Sequence, residues 1–196
     1  MFKKTICILI FSIFAVMCFA QENDIRISLG LNNSSIFGSD VTDRHEGKFG
    51  FNGGISYQLN GRGRAQALEL GSRYVTRGFL EVFDRDTDNQ KERVTNISYI
   101  DLYGKYKLHT GNGWIFVLGS GVSLAPFTEY YNTVNIPLIV GYEWYGLICI
   151  EADMLLLNIP VQDAYPNFNN VKSFTIALSV AIPINLLFKQ NEKENK

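Results

Sequence analysis

From Asp24 to Phe188 the chain alternates apolar and polar residues with period two, and no segment carries the three-to-four spacing of an amphipathic helix. The closing segment holds the pattern longest. Phe174, Ile176, Leu178, Val180, Ile182, Ile184, Leu186 and Phe188 form one face, and Thr175, Ala177, Ser179, Ala181, Pro183, Asn185 and Leu187 lie on the other. The first segment sets Ile25, Ile27, Leu29 and Leu31 against Arg26, Ser28, Gly30 and Asn32. Similar runs span residues 48–59, 65–76, 94–108, 113–125, 132–144 and 146–156, which makes eight predicted strands. Their connections alternate in length. Residues 60–64, 109–112 and 145–146 are short turns, 126–131 is intermediate, and 33–47, 77–93 and 157–171 are long loops. Even strand number, short turns at one end and long loops at the other predict an all-β fold: an eight-stranded antiparallel up-and-down transmembrane β-barrel.

An eight-stranded barrel can turn its apolar face outward to lipid or inward to a ligand, and a soluble periplasmic lipocalin-like carrier lined by Phe174, Ile176 and Leu178 is the second architecture the alternation allows. Strand length favours the membrane. The runs exceed the mean soluble strand of about 5 to 6 residues and cover the roughly 9 to 11 that cross a bilayer at a tilt. Trp114, Trp144, Tyr145 and Tyr106 gather toward the short turns, and Phe49, Tyr74, Phe127, Tyr130 and Tyr131 toward the long loops, as two interfacial girdles would. The opposite face carries Arg26, Glu69, Arg73, Asp101, Lys105, Glu143, Glu151 and Asp153 among glycines such as Gly30, Gly71 and Gly141, a composition suited to a narrow polar lumen. Pro137 and Pro183 fall inside strands of a ring with no edge, so a bulge is expected at each.

Residues 1–20 read as a signal peptide: Lys3 and Lys4, an apolar run, then Cys18 and Ala20 as the small cleavage pair. The apolar run is shorter than the roughly 20 residues of a spanning helix. The barrel then occupies 21–188, and 189–196 form a polar periplasmic tail. Loss of Cys7 and Cys18 with the leader leaves Cys149 alone, so no internal disulfide staples the mature chain and Cys149 reads as a small buried hydrophobe. Loss of Lys3 and Lys4 leaves acids in excess of bases, which gives no footprint for nucleic acid.

Several groups carry candidate chemistry. The lumen charges are either a paired network that plugs the barrel or a proton path or small pore. Asp84, Asp86 and Asp88, followed by Asn89, have the alternate spacing of calcium-loop oxygen ligands, but position six is not Gly and position twelve is Thr95, so a solvated charged loop is the competing reading. His45 shares a predicted loop with Ser34, Ser35 and Ser39, the ingredients of a lipid A-modifying outer-membrane enzyme. Phe79, Leu80, Val82 and Phe83 are either a contact surface on a loop or a strand extension above the membrane. None of these is assigned as a catalytic, cofactor-binding or metal residue, and a non-enzymatic role is expected.

Gly30-Leu31-Asn32-Asn33-Ser34, Gly50-Phe51-Asn52-Gly53-Gly54, Leu68-Glu69-Leu70 with Tyr74 and Arg77-Gly78, and the closing strand Ser173 to Ile182 make the chain resemble the PorT-like outer-membrane β-barrel family of the Bacteroidetes. Tyr99-Ile100-Asp101-Leu102-Tyr103 departs from that pattern, which there has a Glu followed by Pro-Leu. The reading is a monomer in the bacterial outer membrane, bathed by lipid and lipopolysaccharide, with a structural or interaction role in which the long loops 33–47, 77–93 and 157–171 bind an envelope or extracellular partner; the resemblance implies an envelope or secretion-machinery protein as that partner.

Overall fold

The computed structural model describes residues 23–38, 41, 45–61, 65–83, 91–126, 134–157 and 171–185. Nine β segments follow in order: β1 (Asn23–Gly38), β2 (His45–Asn60), β3 (Gln66–Phe83), β4 (Lys91–Gly111), β5 (Trp114–Leu124), β6 (Val134–Asn135), β7 (Pro137–Trp144), β8 (Ile148–Leu155) and β9 (Val171–Pro183). Successive segments pair antiparallel, except that β6 and β7 both pair with β5 and not with each other, and β1 pairs with β9 to close the ring. The short pair β6 and the longer β7 both pair with β5 in one unbroken register, Ser123↔Asn135 and Ser120↔Leu138, so they are two pieces of one strand and the ring has eight.

The apolar face is outward. Phe174 (38% exposed), Ile176 (52%) and Leu178 (56%) leave the barrel wall, as do Leu29, Leu31, Ile150 and Val180, while their sequence neighbours are buried inside. A ligand cavity lined by Phe174, Ile176 and Leu178 is therefore ruled out; a surface this apolar is solvated by lipid, and the molecule is a transmembrane barrel. Trp114, Tyr142, Trp144 and Tyr145 form a contiguous outward belt at the short turns, with Trp144 and Tyr145 ring centroids 5.2 Å apart and Trp114 and Trp144 6.5 Å apart. Phe37, Phe49 and Phe51 face outward near the other end, where Phe51 and Tyr74 meet at 5.4 Å. Phe127, Tyr130 and Tyr131 lie outside the described residues.

The short turns explain the tight end. Asn112 and Gly113 have φ of 52° and 80°, and Tyr145 and Gly146 have 51° and 69°. Two successive left-handed residues match the twist of the flanking strands, and Asn-Gly supplies them at little steric cost.

Three expectations are corrected. Strands reach further than periodicity indicates at the long-loop end: β1 runs to Gly38, β2 starts at His45, β3 runs to Phe83 and β4 starts at Lys91. Arg77 thus belongs to a strand rather than a loop, and of the two readings of Phe79, Leu80, Val82 and Phe83 the strand extension holds: the ladder runs from Arg77↔Ile97 through Phe83↔Lys91, with Phe79 and Val82 buried. Neither proline makes a bulge. The break falls at Ile136, where the Asn135 side chain stands in for the missing ladder bonds: its Oδ1 accepts from the backbone N–H of Ile136 and Leu157 at 2.9 Å, and its Nδ2 donates to the Leu157 carbonyl at 3.0 Å. Pro183 simply ends β9, opposite Arg26, so the closing strand stops short of residue 188. The bulges lie elsewhere, between Gly47 and Asn52 in β2 and between His109 and Gly111 in β4. At the first, the Thr76 hydroxyl accepts from the Phe51 N–H at 2.9 Å, and a Cβ on Gly50 would fall 2.4 Å from that hydroxyl.

Candidate functional site

Inward residues alternate with lipid-facing ones along every strand, so the lumen is built by parity alone. It collects five buried cations, Arg26, Arg73, Arg77, Lys105 and Lys107, and five buried acids, Glu69, Asp101, Glu143, Glu151 and Asp153; a sixth buried acid, Glu81, lies apart from them beside His45 toward the long loops. Within this set the charges are balanced, and they sort into two layers along the barrel.

The layer at the short-turn end joins Arg26 and Lys107 to Glu69 and Glu143. Arg26 meets Glu143 at 2.5 Å and Glu69 at 3.2 Å; Lys107 meets Glu69 at 2.5 Å and Glu143 at 2.6 Å. Gln58 accepts from both Arg26 and Lys107 at 3.0 Å, and Arg26 also donates to the Gly146 carbonyl, which ties the lumen to the β7–β8 turn. Above it, Lys105 meets Glu151 at 2.5 Å and sits 4.3 Å from the centre of the Tyr103 ring, whose hydroxyl donates to Glu69 at 3.1 Å.

The second layer is two guanidinium groups held by two aspartates. Arg73 contacts Asp101 at 2.9 Å, Asp153 at 2.8 Å and Glu151 at 3.1 Å, and Arg77 contacts Asp101 and Asp153 at 2.9 Å each. Arg73 and Asp101 are directly opposed across β3 and β4, and the far acids come from β8 on the other side of the ring. Side chains thus cross the whole lumen. Ser123 adds a hydroxyl donated to Asp101.

Beyond these layers, toward the long loops, the interior turns apolar. Ile36, Val75, Phe79, Ile97, Tyr99, Ala125, Leu155 and Val171 form one buried cluster, with Val41 packed against it. The Arg77 guanidinium lies 5.0 Å over the Tyr99 ring, so Tyr99 joins the charged and apolar parts. A cavity of about 20 Å3 lies between the two charged layers.

The residues singled out from the sequence divide accordingly. All eight predicted lumen charges point inward and join one network. Arg77 and Lys107 belong to it as well and were missed. Lys107 has the parity of Lys105 and was within reach of the pattern, whereas Arg77-Gly78 reads as the start of a loop. Cys149 is buried as expected, but among charges: its thiol donates to Glu151 at 3.3 Å. Ser34 is buried in the wall, its hydroxyl 3.1 Å from both Asn32 Nδ2 and Thr175 Oγ1. His45 opens β2, stacks on Phe79 with centroids 5.5 Å apart and has Nε2 3.9 Å from Glu81. Ser39, Asp84, Asp86 and Asp88 lie outside the described residues. Among the described residues no group of three or more His, Cys, Asp or Glu is placed to hold a metal ion.

Comparison with known protein families and with curated proteins gives no match. Among solved structures the chain is similar to Ail, the attachment invasion locus protein of Yersinia pestis, in complex with the heparin analogue sucrose octasulfate, with TM-score 0.45 and 16% identity over 83% of this chain and 100% of that one. It is similar to Neisserial surface protein A with TM-score 0.45 and 10% identity over 83% and 99% of the two chains. A de novo designed transmembrane β-barrel gives TM-score 0.42 and 8% identity over 84% of this chain and 100% of the design.

Proposed function

We propose that this protein is a bacterial outer-membrane barrel with a non-enzymatic, structural or interaction role, which holds a rigid platform in the bilayer and presents its long-loop end to an envelope or extracellular partner. The observation that carries the reading is the filled lumen. Among the described residues, ten paired charges and an apolar cluster fill the bore of a barrel whose interior is only wide enough for side chains, which argues against a path for a solute. Function then falls to the outer end, where β3 and β4 stay paired from Tyr99 to Lys91, beyond the point at which the described part of β5 stops, opposite Ile100. Resemblance to the PorT-like family supports an envelope or secretion-machinery protein as the partner class, and residues 1–20 act as the export signal.

The test joins location, closure and contact. Outer-membrane fractions run unboiled and boiled are expected to give a faster unboiled band, the mark of a closed barrel, and purified protein in a planar bilayer is expected to give no conductance steps. A photo-crosslinking residue at Val94, exposed on the β4 extension, is expected to trap a discrete protein adduct in cells. Stepwise conductance together with no adduct at Val94 would replace the interaction role with a pore.

A further inference from the structure

The cavity between the charged layers has walls of two kinds. On one side β9, β1 and β2 contribute short polar side chains, Ser179, Ser28, Ser56 and Asn52; on the other stand the long charged side chains of β3, β4, β7 and β8. Arg26 bounds it toward the short turns and Arg73 toward the apolar cluster. Asn52 is 5% exposed, and its Nδ2 has no hydrogen-bond partner among the described residues. A buried amide donor left unpaired costs about 1–3 kcal/mol, and native interiors relieve such groups with protein or ordered water.

We infer that this cavity is a binding site for internal water, anchored by Asn52 Nδ2 and shared with the serine hydroxyls of the β9–β1–β2 wall. Volume and chemistry agree. About 20 Å3 is enough for one water molecule, which needs roughly 10–15 Å3 counted in the same way and two to four polar partners. The charges around the cavity decide against an anion or a cation: Arg26, Lys105 and Lys107 are each matched to Glu69, Glu143 or Glu151 at 2.5 to 3.2 Å, and Arg73 to Asp101, Asp153 and Glu151 at 2.8 to 3.1 Å, so none is left to hold a dehydrated ion. The site gives the small-residue wall a purpose: larger side chains there would fill the cavity but strand the Asn52 amide.

A crystal structure of the full chain, with a parallel crystal soaked in sodium bromide, tests the inference. The expected result is a single water peak at hydrogen-bond distance from Asn52 Nδ2 and no anomalous bromine signal in the cavity. An empty cavity overturns the proposal, and a bromine peak replaces it with an anion site. Asn52→Leu, which retains the side-chain length and removes the donor, is expected to keep the fast-migrating unboiled band and to lose the water peak. A water that stays in place in that variant would show that Asn52 does not anchor it.

Discussion

The two halves of the lumen solve one problem in opposite ways. Both are lined by every second residue of the same strands, and both must fill a bore too narrow to leave open. Toward the short turns the filling is five cations and five acids; toward the long loops it is Ile36, Phe79, Leu155, Val171 and their neighbours. The charged half depends on pairing, since a buried ion without its partner is expensive, whereas the apolar half depends on contact and tolerates a vacancy only as a cavity. Loss of one group should therefore spread through the charged half and stay local in the apolar one.

Asp101→Ala sets the upper end of the expected effects. Asp101 accepts from Arg73, Arg77 and Ser123, so its removal leaves two guanidinium groups sharing Asp153 and Glu151. Breaking a buried pair by deleting one partner costs about 3–5 kcal/mol, and a loss of that size is expected in urea unfolding followed by the heat-modifiable band. Arg73→Met added to Asp101→Ala should restore part of it, because one unpaired cation is gone. Failure of any rescue would mean that the network is not energetically coupled and that the contrast between the halves is wrong.

Leu155→Ala examines the other half. Leu155 is fully buried in the apolar cluster, so the expected cost is about 2–4 kcal/mol, from lost transfer energy and the cavity left behind. Here no second deletion rescues: Phe79→Ala on top of Leu155→Ala should add to the loss. On the lipid face, Leu29→Arg places a charge on a residue 69% exposed to the bilayer, at about 2–4 kcal/mol if it lies near the midplane.

How much of this was legible beforehand follows from what sets each feature. Parity decides which residues face inward, and parity is local, so Arg26, Glu69, Arg73, Asp101 and the others were readable from alternation. Pairing is set by ring closure and register. Nothing near Arg73 in sequence indicates that it meets Glu151 and Asp153 on β8. The extension of β3 past Thr76 was hidden because Arg77-Gly78 has the composition of a turn, yet Gly78 lies opposite Asn96 in an unbroken ladder, and Arg77 is inward like Arg73. Pro137 was read as a bulge from its missing N–H. The remedy is instead a side chain two residues earlier, Asn135, whose role exists only once Leu157 has been brought beside it.

The finest comparison makes the same small change in each half. Cys149 lies among charges with its thiol already donating to Glu151, so Cys149→Ser exchanges one donor for a stronger one at similar volume, and the smaller shift of the two is expected. Val171 is 1% exposed in the apolar cluster, and Val171→Thr preserves shape while burying a hydroxyl among Ile36, Val75 and Leu155. A hydroxyl buried without a partner costs about 1–3 kcal/mol, so the threonine variant should unfold at clearly lower urea. Equal effects at the two positions would mean that water reaches the apolar cluster from the long-loop end, and the cluster would then be no barrier at all.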